Sequence, residues 1–147
     1  MLLKREKSMS TVITVLLTLL QALCAAGALV LDRLSHRRVG VNHHVVFKKY
    51  AAFRSFLRPE LTPYYGAAAA AAFLVGAALL VRAARRRAGG AVIRALAGWT
   101  ALSALLGVEL LLPAARDIPS YLYLLELTAA VWALQLVKAL LAARRAR

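Results

Sequence analysis

The chain has 147 residues, of which 62% are apolar and only 18% are Asp, Glu, Lys or Arg, with a mass of 15.9 kDa and a mean hydropathy of +0.68. Soluble domains run nearer 45–50% apolar and about 25% charged, and a water-facing chain of this length cannot hide that much hydrocarbon; a soluble enzyme, a disordered tail and a soluble nucleic-acid module are excluded. The net charge of +14 does not argue for nucleic acid, because its Lys and Arg residues stand in clusters between long uncharged stretches, as loops between membrane spans do.

Residues 9–31 are uncharged and follow Lys4, Arg5 and Lys7. Their length, and the Asp32-Arg33 that follows where a cleavage context would stand, favour a retained span over a signal peptide. Cys24, the only cysteine, lies within this stretch and reads as a small apolar residue; one thiol builds neither an intrachain disulfide nor a thiolate metal site.

A basic loop comes next. Residues 41–57 read as an amphipathic interfacial helix, with Val46, Tyr50, Phe53 and Leu57 forming one apolar stripe at spacings of four, three and four. Lys48, Lys49, Arg54 and Arg58 border that stripe and suit anionic lipid headgroups, and Pro59 ends the helix. His43 and His44 are adjacent, so a helix points them about 100° apart, and His36 stands about 10 Å further along. The three are read as interfacial residues, with a haem or metal site, or a subunit interface, as the sharper alternative.

The second span covers residues 64–81 and is rich in alanine from Ala67 to Ala72. Together with Gly27, Gly76, Gly98 and Gly107, that run permits close helix approach. A basic connection, Arg82 to Gly90, leads to a third span at residues 95–114 and a fourth at 119–141. With both termini inside, the inner segments carry 12 basic residues and the outer ones eight, of which seven fall in the first loop; the positive-inside rule gives N-in and C-in. The prolines and Tyr64, Tyr65, Tyr121 and Tyr123 then fall on the outer side, the tyrosines as an interfacial belt.

Two carboxylates, Glu109 and Glu126, lie inside the third and fourth spans. A charge in hydrocarbon costs at least about 2.5–3.5 kcal/mol and calls for a partner or a cavity. Counting along each helix from the short outer turn puts them at similar depths, about 8 and 10 Å, which makes them neighbours across the hairpin. Two carboxylates in reach of one another do not both ionise easily, so the pair suits a proton relay, a cation site or a shared hydrogen bond. Arg116, Arg54 or Arg58 could neutralise them instead. Gly98, Leu102, Leu105 and Glu109 share one stripe, and Glu126 shares another with Ala129, Ala130 and Ala133. Gln135 is a candidate interhelical hydrogen-bonder.

In size, span number and basic first loop the chain is similar to the membrane-associated eicosanoid and glutathione enzymes. Their Arg-x-x-x-Asn-x-x-Glu pattern has no counterpart between Phe53 and Leu80, so the likeness is one of architecture only. Nor does the chain hold a nucleophile–base pair, phosphate loop or metal motif. The sequence thus describes one membrane domain over residues 1–147: an all-α, four-transmembrane-helix bundle with an amphipathic helix in its first outer loop. The high ratio of Arg to Lys and the abundance of Ala and Leu suit a bacterial inner membrane. The expected role is a non-catalytic accessory or stabilising subunit of a larger membrane complex. The alternatives are a small oligomeric ion- or proton-coupled carrier or channel using Glu109 and Glu126, or a redox or metal protein using the histidines.

Overall fold

A computed structural model describes residues 2–37, 39–118 and 120–145, the side chains of 2–10, 31, 32, 35, 36, 41 and 145 excepted. Among the described residues six helices follow one another: α1 (Leu2–Arg37), α2 (Val39–Arg54), α3 (Thr62–Arg85), α4 (Gly90–Leu111), α5 (Pro113–Arg116) and α6 (Tyr121–Arg145). Four of them, α1, α3, α4 and α6, are long and apolar enough to cross a membrane. The protein is an all-helical four-span membrane bundle.

The helices outrun the uncharged stretches of sequence. α3 continues through Arg82 to Arg85, and α4 already begins at Gly90, before Arg94. An arginine needs only its head in water and can lay its stem along a helix end, so the hydrocarbon boundary does not end the helix. α4 stops at Leu111 rather than 114, because Leu112 precedes Pro113 and takes an extended conformation. Between α3 and α4 the chain turns through Arg87, whose φ is 51°. Ala88 N donates to Ala83 O at 2.9 Å and Arg87 N to Ala84 O at 3.0 Å, the paired bonds of a Schellman cap with arginine in the left-handed position that usually holds glycine.

Packing follows an open row. α3 lies antiparallel on α4, α4 on α6, and α6 on α1, while α2 crosses the end of α6 where Tyr121 begins it. The span of α1 contains no buried residue. Small residues set the closest approach: a Cβ built on Gly76 would stand 2.6 Å from Thr100 Oγ1 and 3.4 Å from Thr100 Cα, and one on Gly66 2.5 Å from Leu111 Cδ2. The alanine run contributes one buried residue, Ala69. Gly27, expected at a close approach, has nothing within 4 Å; α1 turns that face away from the bundle.

α2 ends at Arg54, short of 57. Ser55 Oγ donates to Ala51 O and Arg58 Nε to Arg54 O, at 3.0 Å each, so side chains take up carbonyls at the end of α2 before Pro59 can act. The face it lays on the bundle is also turned from the expected stripe. Val45, Ala52 and Leu57 are buried and Phe53 stacks on Tyr121 with ring centroids 6.0 Å apart. Val46 is half-buried, and Tyr50 stays 63% exposed. Lys49 Nζ donates to Ile118 O at 3.1 Å, an attachment that replaces part of the apolar contact expected at Tyr50.

Candidate functional site

Polar side chains inside the spans collect at three levels. At the arginine-rich end, α1, α6 and α4 are joined by one chain of hydrogen bonds. Lys138 Nζ donates to Thr18 Oγ1 at 3.0 Å and to Gln21 Oε1 at 2.9 Å. Gln21 Nε2 donates onward to Gln135 Oε1 at 3.1 Å and to Val131 O at 3.2 Å. Gln135 Nε2 ends the chain on Ala95 O at 3.0 Å. Each amide turns its oxygen toward the ammonium and its nitrogen away, so the links polarise one another in one sense. Gln135 is buried and is the interhelical hydrogen-bonder expected of it. Its close seat requires Gly98, where a Cβ would lie 2.7 Å from Gln135 Nε2.

Midway along, Trp132 Nε1 donates to Ser103 Oγ at 2.8 Å, and Ser103 Oγ donates to Trp99 O at 2.9 Å. The Trp99 and Trp132 rings lie 5.8 Å apart and tilted by 39°, a favourable aromatic pairing. Ser103 is 1% exposed, so this station ties α4 to α6 and leaves no hydroxyl free for chemistry.

At the α2 end stands Glu109. Its Oε1 accepts from Thr128 Oγ1 at 2.9 Å, and its backbone carbonyl accepts from Tyr121 OH at 3.1 Å. Arg116 Nη2 donates to Leu110 O at 3.0 Å and lies beside the Tyr121 hydroxyl, a cation at a helix C-terminus. Glu109 Oε2 and Arg116 Nε are buried without a hydrogen-bond partner among the described residues. Tyr121, expected in an interfacial belt, is buried at 2% exposure because Phe53 covers it. Tyr64 is exposed.

The expected pairing of Glu109 with Glu126 is not what the geometry brings together. Thr128, not Glu126, faces Glu109, and residues two apart on a helix point about 200° from one another. Glu126 is exposed at the rim of an apolar groove of about 410 Å³ between α3 and α6, whose walls include Ala68, Ala69, Ala72, Ala129, Leu106 and Trp132. Matched depth is insufficient when the helix faces differ. No hydrogen bond or ion pair holds Glu126 among the described residues. Ala129, Ala130 and Ala133, expected to pack beneath it, are exposed.

Arg54 and Arg58 are exposed and pair with neither carboxylate; Arg58 is bonded back to Arg54 O. His43 and His44 are exposed, and the side chain of His36 lies outside the described residues. No group of three or more potential metal ligands forms among the described residues. Comparison with family models, curated proteins and solved structures finds no match to this chain.

Proposed function

We propose that the protein is a non-catalytic accessory subunit that packs against a larger membrane protein through the α3–α6 groove. Glu126 carries this reading. A carboxylate about one and a half turns into a span is costly in hydrocarbon and is normally met by a partner. Here its own chain offers none among the described residues, and the apolar groove beside it, with Ala68, Ala69, Ala72 and Ala129 set among larger leucine and aromatic side chains, leaves room for a foreign helix. By contrast, the polar groups of α1, α4 and α6 are largely engaged within the chain, as in a bundle built to hold its shape. α2 would rest at the membrane interface, with Lys48 and Arg54 toward anionic headgroups.

Filling the groove tests the reading. Extracted in mild detergent, the wild type is expected to migrate with larger subunits. Ala129→Leu, which adds bulk at an exposed groove position, should release it as a smaller species whose thermal unfolding is unchanged. Migration as a defined homo-oligomer that carries ions in vesicles would favour the carrier reading instead.

For orientation we propose a bacterial inner membrane with both termini inside, supported by the nine basic and no acidic residues in 82–94 and 138–147. In a Cys24→Ser background, Glu60→Cys should react in intact cells with an impermeant thiol reagent and Arg86→Cys should not. The reverse labelling would invert the bundle.

A further inference from the structure

At the end of the molecule away from α2, a cavity of about 270 Å³ opens where α1, α4 and α6 meet, its walls mostly apolar, with Thr14, Arg94, Gln135 and Lys138 set among the alanines Ala91, Ala95 and Ala142. Two cations from two helices share it. The Lys138 ammonium is fixed by Thr18 and Gln21, both neutral acceptors, so its charge is solvated but not neutralised. Two of its three N–H donors are engaged, and the third is left over. Arg94 is exposed and makes no hydrogen bond or ion pair with a described residue.

Among the described side chains no carboxylate pairs with either cation. Residues 82–94 and 138–147 contain no acidic residue, while Glu60, Glu109, Asp117 and Glu126 all lie toward the α2 end. Glu6 stands eight residues before Thr14 on α1, about 12 Å away along the axis. Two unbalanced cations at the edge of a low-dielectric medium repel unless an anion lies between them. Their depth is also informative. Arg94 is four residues, about 6 Å, inside the start of α4, and Lys138 is six residues, about 9 Å, before Arg144. Both cations therefore stand within the first two turns of their spans from that end, where a side chain can still reach headgroup level.

We propose that this cavity binds the phosphate of an anionic phospholipid. Arg94 presents its planar fork to two phosphate oxygens, and Lys138 supplies its remaining N–H to a third. The alanine wall receives the glycerol backbone, and the acyl chains run outside along the exposed flank of α1. The volume is smaller than the roughly 300 Å³ at which sites for drug-sized ligands begin, so it suits a headgroup phosphate and not a whole lipid. A choline headgroup would bring a further cation into a site that already holds two; the site therefore selects an anionic lipid. Basic pockets between membrane helices are a general form of such sites.

The full chain, purified in a neutral detergent, is titrated with dioctanoyl phosphatidylglycerol while its thermal unfolding midpoint is followed. The expected result is a saturable rise with this lipid, and none with dioctanoyl phosphatidylcholine or inorganic phosphate. Arg94→Gln, at an exposed position, should fold normally and need roughly tenfold more lipid for the same rise. Arg86→Gln, a basic residue outside the cavity, should titrate as the wild type. Equal losses in Arg94→Gln and Arg86→Gln would overturn the proposal in favour of diffuse charge attraction. A rise with phosphatidylcholine would overturn the anionic selectivity, and a rise with inorganic phosphate alone would overturn a lipid as the ligand.

Discussion

Replacing Gln21 with leucine is expected to loosen α1 from the bundle and lower unfolding stability by about 3 kcal/mol. The span of α1 buries no residue, and lipid tails offer no hydrophobic drive for one helix to prefer another. Attachment therefore leans on the hydrogen bonds of Thr18 and Gln21 to α6. A single interhelical bond in a membrane contributes only about 0.6–2 kcal/mol. Gln21→Leu removes several at once and strands the half-buried Lys138 ammonium on one acceptor, and losing a partner of a charge within a span is the costlier event. The double variant Gln21→Leu/Lys138→Met tests that attribution: with no charge left to strand, it should lose less than Gln21→Leu alone. Unfolding in mixed micelles measures both. A double variant that loses as much as the sum of the two single ones would sink the argument.

Gly76→Ala is expected to part α3 from α4 at a cost of about 1–3 kcal/mol. The new methyl would meet Thr100 Oγ1 at 2.6 Å, and that hydroxyl is pinned by its own bond to Leu96 O at 2.9 Å. Thr100 Cα, 3.4 Å away, is backbone and moves only with the helix. Thr100→Ala should restore part of the loss, since it removes the hydroxyl but leaves the backbone in place. Gly27→Ala is the contrasting case. With nothing within 4 Å of its Cβ, it should raise stability by about 0.5–1 kcal/mol through helix propensity alone. A similar loss at both glycines, measured in the same micelles, would mean that close approach does not decide the effect.

The spans could be read from the sequence because hydropathy is a local property and each span needs only its own residues to declare itself. Faces are harder. Distance along each helix matches Glu109 and Glu126 in depth; their azimuth depends on how α4 and α6 rotate against each other, and that rotation brings Thr128 to Glu109. Tyr121 looked interfacial because it begins a span, yet the covering ring comes from Phe53, 68 residues earlier. The polar chain through Gln21 and Lys138 did leave a trace. Thr18 and Gln21 are three residues apart on one helix, as are Gln135 and Lys138 on another, so each pair marks a single face. Two such faces in separate spans of a chain otherwise short of polar residues are candidates to meet.

Gln21 and Gln135 meet although they stand 114 positions apart in the sequence. A ribosome adding about 5–20 residues per second makes the α6 half of that contact on the order of 6–20 s after the α1 half. Throughout that interval Thr18 and Gln21 stand in the bilayer without their eventual acceptor and donor. α1 is thus inserted well before it is secured, and its polar contacts close only when α6 arrives. A chain stalled or cut before α6 leaves α1 held only through α2, with the Gln21 amide unsatisfied in lipid.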